Sequence, residues 1–104
     1  MQVIILRGGS GAGKSTWTKR FYEDAPLFSA DQYFIDADGK YVFDIERIDH
    51  AQADCMLRFI FKCQNPDDTK VIIVDNTNTS LAEFSPYAQV ASAYGHNVLI
   101  LTFI

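Results

Sequence analysis

The residues with the clearest chemical spacing lie near the start of the chain, in the pattern Gly8-x-x-x-x-Gly13-Lys14-Ser15. This is the P-loop pattern, in which glycines let backbone N–H groups approach phosphates, the lysine neutralises them, and the hydroxyl binds Mg²⁺. It follows an apolar run and precedes a helical segment, and its glycines are out of register with a dinucleotide-binding fingerprint. We therefore predict binding of a purine nucleoside triphosphate with Mg²⁺, ATP more often than GTP. The predicted nucleotide-binding residues are Gly8, Gly9, Ser10, Gly11, Ala12, Gly13, Lys14, Ser15 and Thr16.

Two aspartates follow short apolar runs farther along the chain, Asp31 after 27–29 and Asp75 after 71–74. Ligands of open parallel sheets bind at the carboxyl ends of the strands, so both should lie at the same edge as the loop. Asp75 has the form of a Walker B acid, and Asp31 is placed to accept the proton of an acceptor hydroxyl. The alternative for each is a turn or helix cap. The predicted catalytic residues are Lys14, Asp31 and Asp75, and the predicted metal ligands are Ser15, Asp31 and Asp75.

The elements that must position these residues alternate between apolar runs and helical patterns. The predicted strands are 3–6, 27–29, 71–74 and 97–104, and the predicted helices are 16–23, 45–63 and 80–94. The pair Asp38-Gly39 predicts a small β-hairpin between 33–35 and 41–43. This order predicts an α/β fold with a parallel sheet and helices on both faces, in one nucleotide-binding domain spanning residues 1–104.

Composition excludes several classes of protein. With 48% hydrophobic residues in 104, the chain is not disordered, and no apolar run approaches the roughly 18 to 20 residues of a membrane span. A net charge of −4 argues against a surface that coats nucleic acid broadly. Cys55 and Cys63 lie about 12 Å apart on a helix, too far for a disulfide. Without a signal-peptide pattern, the prediction is a reducing, cytoplasmic setting.

Other chemistry-bearing residues have simpler interpretations. The acidic stretch around Gly39 resembles a calcium loop, but that register puts Phe34 and Ile45 at ligand positions, which rules the loop out. His50 and His96 lack partners at metal or triad spacing and are predicted at the surface. Trp17 is predicted to pack, with base stacking as the alternative. The residues predicted in the core of the second helix are Cys55, Phe59, Phe61 and Cys63.

Several segments together resemble the P-loop kinases, in particular the kinase domain of bacteriophage-type polynucleotide kinase and the Nedd-four-binding protein two-like ATPases. The segments are VIILRGGSGAGKSTW (3–17), FSADQYF (28–34), VIIVDNTN (71–78), Glu83, Pro86-Tyr87 and Tyr94-Gly95. The resemblance implies an adenylate-kinase-like sheet and transfer of the ATP γ-phosphate to the 5′-hydroxyl of DNA or RNA. It also implies that Lys14 and Ser15 bind ATP and Mg²⁺ and that Asp31 is the general base. Asp75, Thr77 and Asn78 would then lie near the acceptor.

Two features of the chain depart from this family's pattern. Polynucleotide kinases have an arginine three positions after the base aspartate, where this chain has Phe34. The family also continues after the fourth strand into a lid with arginines and a fifth strand, whereas the sequence ends at Ile104. We therefore expect a truncated or minimal P-loop kinase fold that lacks the usual lid and fifth strand, or a fragment of a longer chain. The cations that could substitute are Arg7, Lys19, Arg20 and Arg47.

These observations leave two functions open. One is a phosphotransferase acting on a 5′-hydroxyl nucleic-acid end or a small-molecule hydroxyl, with the acidic charge mildly favouring a small substrate or a short nucleic-acid end over a long duplex. The other is a nucleotide-binding module, regulatory or structural, without efficient turnover. The apolar segment 98–104 should lie near a sheet edge, which predicts a homodimer through this strand. No membrane partner is expected.

Overall fold

The computed structural model describes residues 1–9, 12–76 and 81–103, with only the backbone described at 81 and 82. In these residues, four parallel strands form one sheet in the order β2-β3-β1-β4. The strands are β1 (Gln2–Arg7), β2 (Leu27–Phe28), β3 (Val71–Asp75) and β4 (Asn97–Thr102). The helices are α1 (Lys14–Phe21), α2 (Ile48–Gln64) and α3 (Leu81–Ala93), with 3₁₀ turns at Ala30–Phe34 and Ile45–Arg47.

The central strands β1 and β3 are apolar because both of their faces are covered. Val3 and Ile5 of β1 pack into the cluster that contains α2 and α3, whereas Ile4 and Leu6 pack on the α1 side. Successive side chains of a strand point to opposite faces, so a continuous apolar run serves both layers. The predicted three-layer α/β fold is confirmed.

The two apolar layers differ in size. The larger contains Cys55 and Phe59 of α2 and Tyr87 of α3, with the Phe59 ring 5.0 Å from the Tyr87 ring. On the other face, half-buried Trp17 lies against Phe103, with ring centroids 5.9 Å apart. This contact supports the packing interpretation of Trp17.

The predicted hairpin is reduced to a single antiparallel bridge between Ile35 and Tyr41. The segment before it forms the 3₁₀ turn because Ser29 and Gln32 make a capping box. The Asp36 carboxylate then accepts hydrogen bonds from the next turn's backbone N–H groups, at residues 38 and 40. These local side-chain bonds compete with strand pairing.

Helix boundaries also differ from the prediction. Asp44 caps the short 3₁₀ turn, and α2 begins only at Ile48. The core prediction holds for Cys55, Phe59 and Cys63 but is wrong for Phe61, which is 66% exposed. Phe61 lies two residues, or about 200°, from both Phe59 and Cys63 around the helix, and therefore faces outward.

Several smaller predictions have mixed outcomes. Both cysteines are free, as expected. His50 is exposed, but His96 is half-buried, with a ring nitrogen 2.8 Å from the Cys63 carbonyl oxygen. Residue 80, where the third helix is predicted to begin, lies outside the described residues. The sheet edge at β4 is confirmed, with Leu99 and Ile100 exposed.

No helix within 1–9, 12–76 and 81–103 is long and apolar enough to cross a bilayer.

Candidate active site

A cavity of about 500 Å³ opens at the carboxyl ends of β1, β2 and β3. Parallel sheets with helices on both faces collect ligands at this edge. The described residues that line the cavity are Gly9, Gly13, Lys14, Ser15, Thr16, Ser29, Ala30, Asp31, Gln52, Asp75 and Asn76. The loop after β1 and the two predicted aspartates therefore lie around one space.

The chain enters the loop through a tight turn after β1. Gly8 has φ +146°, and a Cβ there would lie 2.8 Å from the Phe103 backbone oxygen. Gly13 is left-handed, with φ +93°, directly before the first turn of α1. Only glycine takes these conformations without strain. The N-terminus of α1 thereby faces the cavity and favours anions such as phosphate. Ser10 and Gly11 lie outside the described residues.

Lys14 is held at the end of β3. Its Nζ lies 3.2 Å from Asp75 Oδ1 and donates a 3.0 Å hydrogen bond to the Asn76 carbonyl oxygen. The two side chains of the ion pair are 11% and 19% exposed. Screening of this pair by water is therefore weaker than at an open surface. Lys14, Asp75 and the N-terminus of α1 therefore lie together beside the cavity.

Asp31 lies on the 3₁₀ turn that follows β2, and its side chain is exposed. The turn is capped by Ser29 Oγ, which accepts from the Asp31 backbone N–H, so the Asp31 carboxylate does not serve as this cap. The Tyr41 hydroxyl donates to Asp31 Oδ1 at 3.5 Å. Partial burial, followed by the negative charge of Asp31 and this hydrogen bond, raises the pKa of Tyr41. The hydroxyl, which is protonated at neutral pH even without this shift, is a donor to the carboxylate.

Asn76 connects the parts of the site, although no role was predicted for it from the sequence. Its Oδ1 accepts the Ala30 N–H at 2.9 Å, and its Nδ2 makes a long 3.9 Å contact with Cys55 Sγ. One residue thus joins the end of β3 to the turn that carries Asp31 and, through its carbonyl, to Lys14. Its position directly after Asp75 was the available signal.

A buried tyrosine lies behind this junction. Among the described residues, the Tyr87 hydroxyl has no hydrogen-bond partner. Burial, with a further contribution from Cys55, raises the pKa of Tyr87 well above its usual value. The group is therefore neutral, and its role in the site is packing beneath Asn76.

Helix α2 supports the turn from the outside. Arg58 Nη1 donates to Gln32 Oε1 at 2.6 Å and Nη2 donates to the Ser29 carbonyl at 3.2 Å. Its Nε also pairs with Asp54 at 2.9 Å. Gln52 of the same helix is exposed and lines the cavity. The role of Arg58 was not predicted from the sequence because its two partners on the turn lie 26 and 29 residues away.

The cations expected to replace the lid arginines lie elsewhere. Arg7 lies 4.4 Å from the centre of the Phe84 ring, and Arg47 donates two hydrogen bonds to the Tyr33 hydroxyl. None of Arg7, Lys19, Arg20 and Arg47 is among the described lining residues. Within that set, Lys14 supplies the positive side-chain charge.

The donor set fits Mg²⁺. Ser15 offers a hydroxyl, and Asp31 and Asp75 offer carboxylates around the same cavity. In the part of the chain that the structure describes, no group of three or more His, Cys, Asp or Glu residues could form an all-protein metal cage. Mg²⁺ in nucleotide sites is held by one or two carboxylates together with phosphates, so this smaller set suits it.

Three comparisons with known proteins agree on the class of domain. The family model described as "AAA domain" matches residues 3–104. NEDD4-binding protein 2 of Homo sapiens is 31% identical over 102 residues, covering 93% of this chain. A chain in the solved structure titled "Structure of Pnkp1/Rnl/Hen1 complex" has a TM-score of 0.74 at 22% identity, covering 99% of this chain. At that identity, the structural match shows a shared fold.

Both relatives are much longer proteins. The chain spans 6% of the length of NEDD4-binding protein 2 and 35% of the matched chain in the solved structure. The similarity therefore concerns one domain of each.

Proposed function

This chain belongs to the AAA-domain family of P-loop kinase-like proteins, and we propose that it is a phosphotransferase that moves the γ-phosphate of ATP to a hydroxyl acceptor. The proposed acceptor is of the polynucleotide 5′-hydroxyl type, with a small-molecule hydroxyl as the alternative. The single observation that carries the proposal is the convergence of Lys14, Ser15, Asp31 and Asp75 around one cavity. We also propose that residues 1–104 act as one nucleotide-binding domain.

The proposed reaction is a direct transfer of the γ-phosphate to the acceptor hydroxyl. The acceptor hydroxyl gives its proton to the Asp31 carboxylate as its oxygen bonds to the γ-phosphorus. The bond from the γ-phosphorus to the β–γ bridging oxygen breaks, and a nucleoside diphosphate leaves. Lys14, at the N-terminus of α1, stabilises the negative charge that spreads over the transferred group.

Ser15 and Asp75 would hold Mg²⁺, with Asp31 as a further oxygen donor. When bound, the ion supplies charge neutralisation at the phosphate oxygens. Because Lys14 is paired with Asp75, an incoming phosphate must compete with this carboxylate for the positive charge of the lysine.

The test is an acceptor screen with γ-labelled ATP and Mg²⁺. The acceptors are 5′-hydroxyl oligonucleotides, nucleosides and small alcohols, and the expected result is label on at least one of them. Lys14→Ala should lose nucleotide binding, whereas Lys19→Ala, a lysine on the same helix outside the cavity, is the matched control. Absence of label on every acceptor would contradict the proposal.

A second function is favoured by one observation, the identity and burial of Phe34. This side chain is buried and contacts the Phe43 ring, so no cation occupies the position where polynucleotide kinases have an arginine. A nucleotide-binding module without efficient turnover would suit that site. Stoichiometric ATP binding without transfer would support this function, and turnover that is lost in Asp31→Ala would contradict it.

Strand β4 supports a proposal about assembly. It lies at the edge of the sheet with Leu99 and Ile100 exposed, and exposed apolar edges pair readily. We propose a homodimer through this strand. Light scattering at micromolar concentration should give twice the monomer mass, and a monomeric mass would contradict it.

The two free, buried cysteines support our proposal of a cytoplasmic location.

A further inference from the structure

Two aromatic rings are exposed on the segment after the Asp31 turn. Tyr41 and Phe43, which we call the aromatic platform, are 55% and 54% exposed. Their rings are nearly parallel, at 15°, with centroids 6.4 Å apart. Phe34 is buried and lies 6.0 Å from the Tyr41 ring and 5.1 Å from the Phe43 ring. The platform is therefore supported from beneath and presented to solvent.

The platform is continuous with the candidate active site. The Tyr41 hydroxyl contacts Asp31 Oδ1 at 3.5 Å, and Asp31 lines the cavity. The bridge between Ile35 and Tyr41 and the hydrogen bond from the Val42 N–H to the Phe34 carbonyl fix this arrangement. A molecule lying against the platform would therefore be adjacent to the proposed general base.

A planar, aromatic occupant suits this surface. Exposed aromatic side chains bind nucleobases by stacking, and every base has a π face that can do so. Residues 36–46 carry four acidic side chains and one lysine, and this negative charge restricts how many phosphates can be attached to the stacked base. These residues are Asp36, Asp38, Asp44, Glu46 and Lys40. Such a field disfavours a long track of phosphates, so one nucleoside unit fits better than an extended strand.

We propose that the aromatic platform is the base-binding subsite of the acceptor. The base of the acceptor's terminal nucleoside stacks on Tyr41 and Phe43, and its hydroxyl is presented to Asp31. The acceptor class is thereby narrowed to nucleosides and the terminal nucleoside of a 5′-hydroxyl strand. This inference rests on the proposed phosphotransferase function and assigns the substrate class of the same site.

The kinetic test compares two 5′-hydroxyl oligonucleotides, one ending in adenosine and one ending in an abasic residue. Wild type should show a KM for the abasic end that is higher by about 5-fold or more, from the loss of stacking. Phe43→Leu should raise KM for the adenosine end by a similar factor at unchanged kcat and leave KM for the abasic end unchanged. Phe61→Leu, which removes a phenyl ring of α2 that is 66% exposed, is the matched control and should change neither.

Tyr41→Phe tests the contribution of the ring to binding separately from that of the hydroxyl. It keeps the stacking surface, so discrimination between the two acceptors should persist. Equal KM values for the two acceptors in wild type, or an equal effect of Phe43→Leu on both, would overturn the proposal.

A binding measurement separates this inference from the proposed reaction. An oligonucleotide with a 5′-terminal 2-aminopurine should lose fluorescence on binding wild type or Phe61→Leu, and less so on binding Phe43→Leu. Quenching with this pattern but without phosphate transfer would support the base-binding subsite and contradict the proposed phosphotransferase activity. Phosphate transfer with no quenching would retain the phosphotransferase and overturn the base subsite.

Discussion

Asn76 offers a selective perturbation of the site because its side chain and its backbone contact different partners. The side chain accepts the Ala30 N–H at 2.9 Å, while the backbone carbonyl accepts from Lys14 at 3.0 Å. Asn76→Ala removes the first contact and retains the second. The turn that carries Asp31 should loosen while the lysine stays in place.

The size of the effect follows from the burial of the turn. Ala30 is 8% exposed and its bond to Asn76 is partly buried, so its N–H would lose its acceptor where water replaces it incompletely. An unsatisfied buried group costs about 1–3 kcal/mol. In a domain of this size, each kcal/mol corresponds to a Tm decrease of about 4–8 °C. Misplacement of a catalytic group by about 1 Å can cost about 100-fold in rate, so we expect kcat to fall by roughly 10- to 100-fold.

The assay is thermal unfolding together with steady-state transfer kinetics. KM for ATP should change by less than about 3-fold, because the Lys14 contact is to the backbone. Two controls separate positioning from stability. Asn65→Ala removes an exposed asparagine whose side chain donates to the Phe61 carbonyl, away from the cavity, and should change neither quantity by much. Cys63→Ala loses packing in the core near the C-terminal end of α2 but keeps the Ala30 bond, so Tm should fall while kcat stays within about 3-fold.

An Asn76→Ala variant with unchanged Tm would refute the buried hydrogen bond. A lowered Tm with unchanged kcat would refute the positioning role of Asn76.

Further predictions concern the loop, the core cysteine and the sheet edge. Gly8→Ala should lower the free energy of unfolding, measured by chemical denaturation, by about 1–3 kcal/mol, because Gly8 has φ +146° and a Cβ would lie 2.8 Å from the Phe103 oxygen. Gly9→Ala is the control, because a Cβ at Gly9 would lie in open space. Cys63 is 2% exposed, and burial also raises the pKa of its thiol, so a thiol reagent should label this residue at the rate at which the protein unfolds. Rapid labelling in the folded protein would contradict this prediction. Leu99→Lys should shift a dimer to the monomer mass by light scattering, and a mass that does not change would argue against β4 as the interface.

The local patterns of the sequence predicted most of the fold. The strands β1 and β3 were readable because four consecutive apolar residues suit a strand buried on both faces, and the P-loop pattern located the start of α1. The 3₁₀ turn at Ala30–Phe34 was missed, although Ser29 and Gln32 carry a capping-box signal. The Asp38-Gly39 pair, which is typical of tight turns between strands, instead led to the prediction of a longer hairpin.

The parts of the site that were missed depend on contacts between distant segments. Asn76 lies 46 residues from Ala30, and Arg58 lies 29 residues from Ser29, so no spacing along the chain reveals either bond. The approach of Tyr41 to Asp31 likewise depends on the bridge that folds the segment back. By contrast, Phe61 could have been placed correctly by applying the helical period strictly to α2.

The most direct test of the phosphotransferase is the ratio of transfer rates of Asp31→Asn and wild type, at saturating γ-labelled ATP and a 5′-hydroxyl acceptor. The amide keeps the size of the side chain but cannot accept the proton of the acceptor hydroxyl, and general-base catalysis contributes roughly 100- to 10,000-fold. We predict a rate lowered by at least about 100-fold with an unchanged Kd for ATP. Transfer at the wild-type rate by Asp31→Asn, or no transfer by wild type, would contradict the assignment.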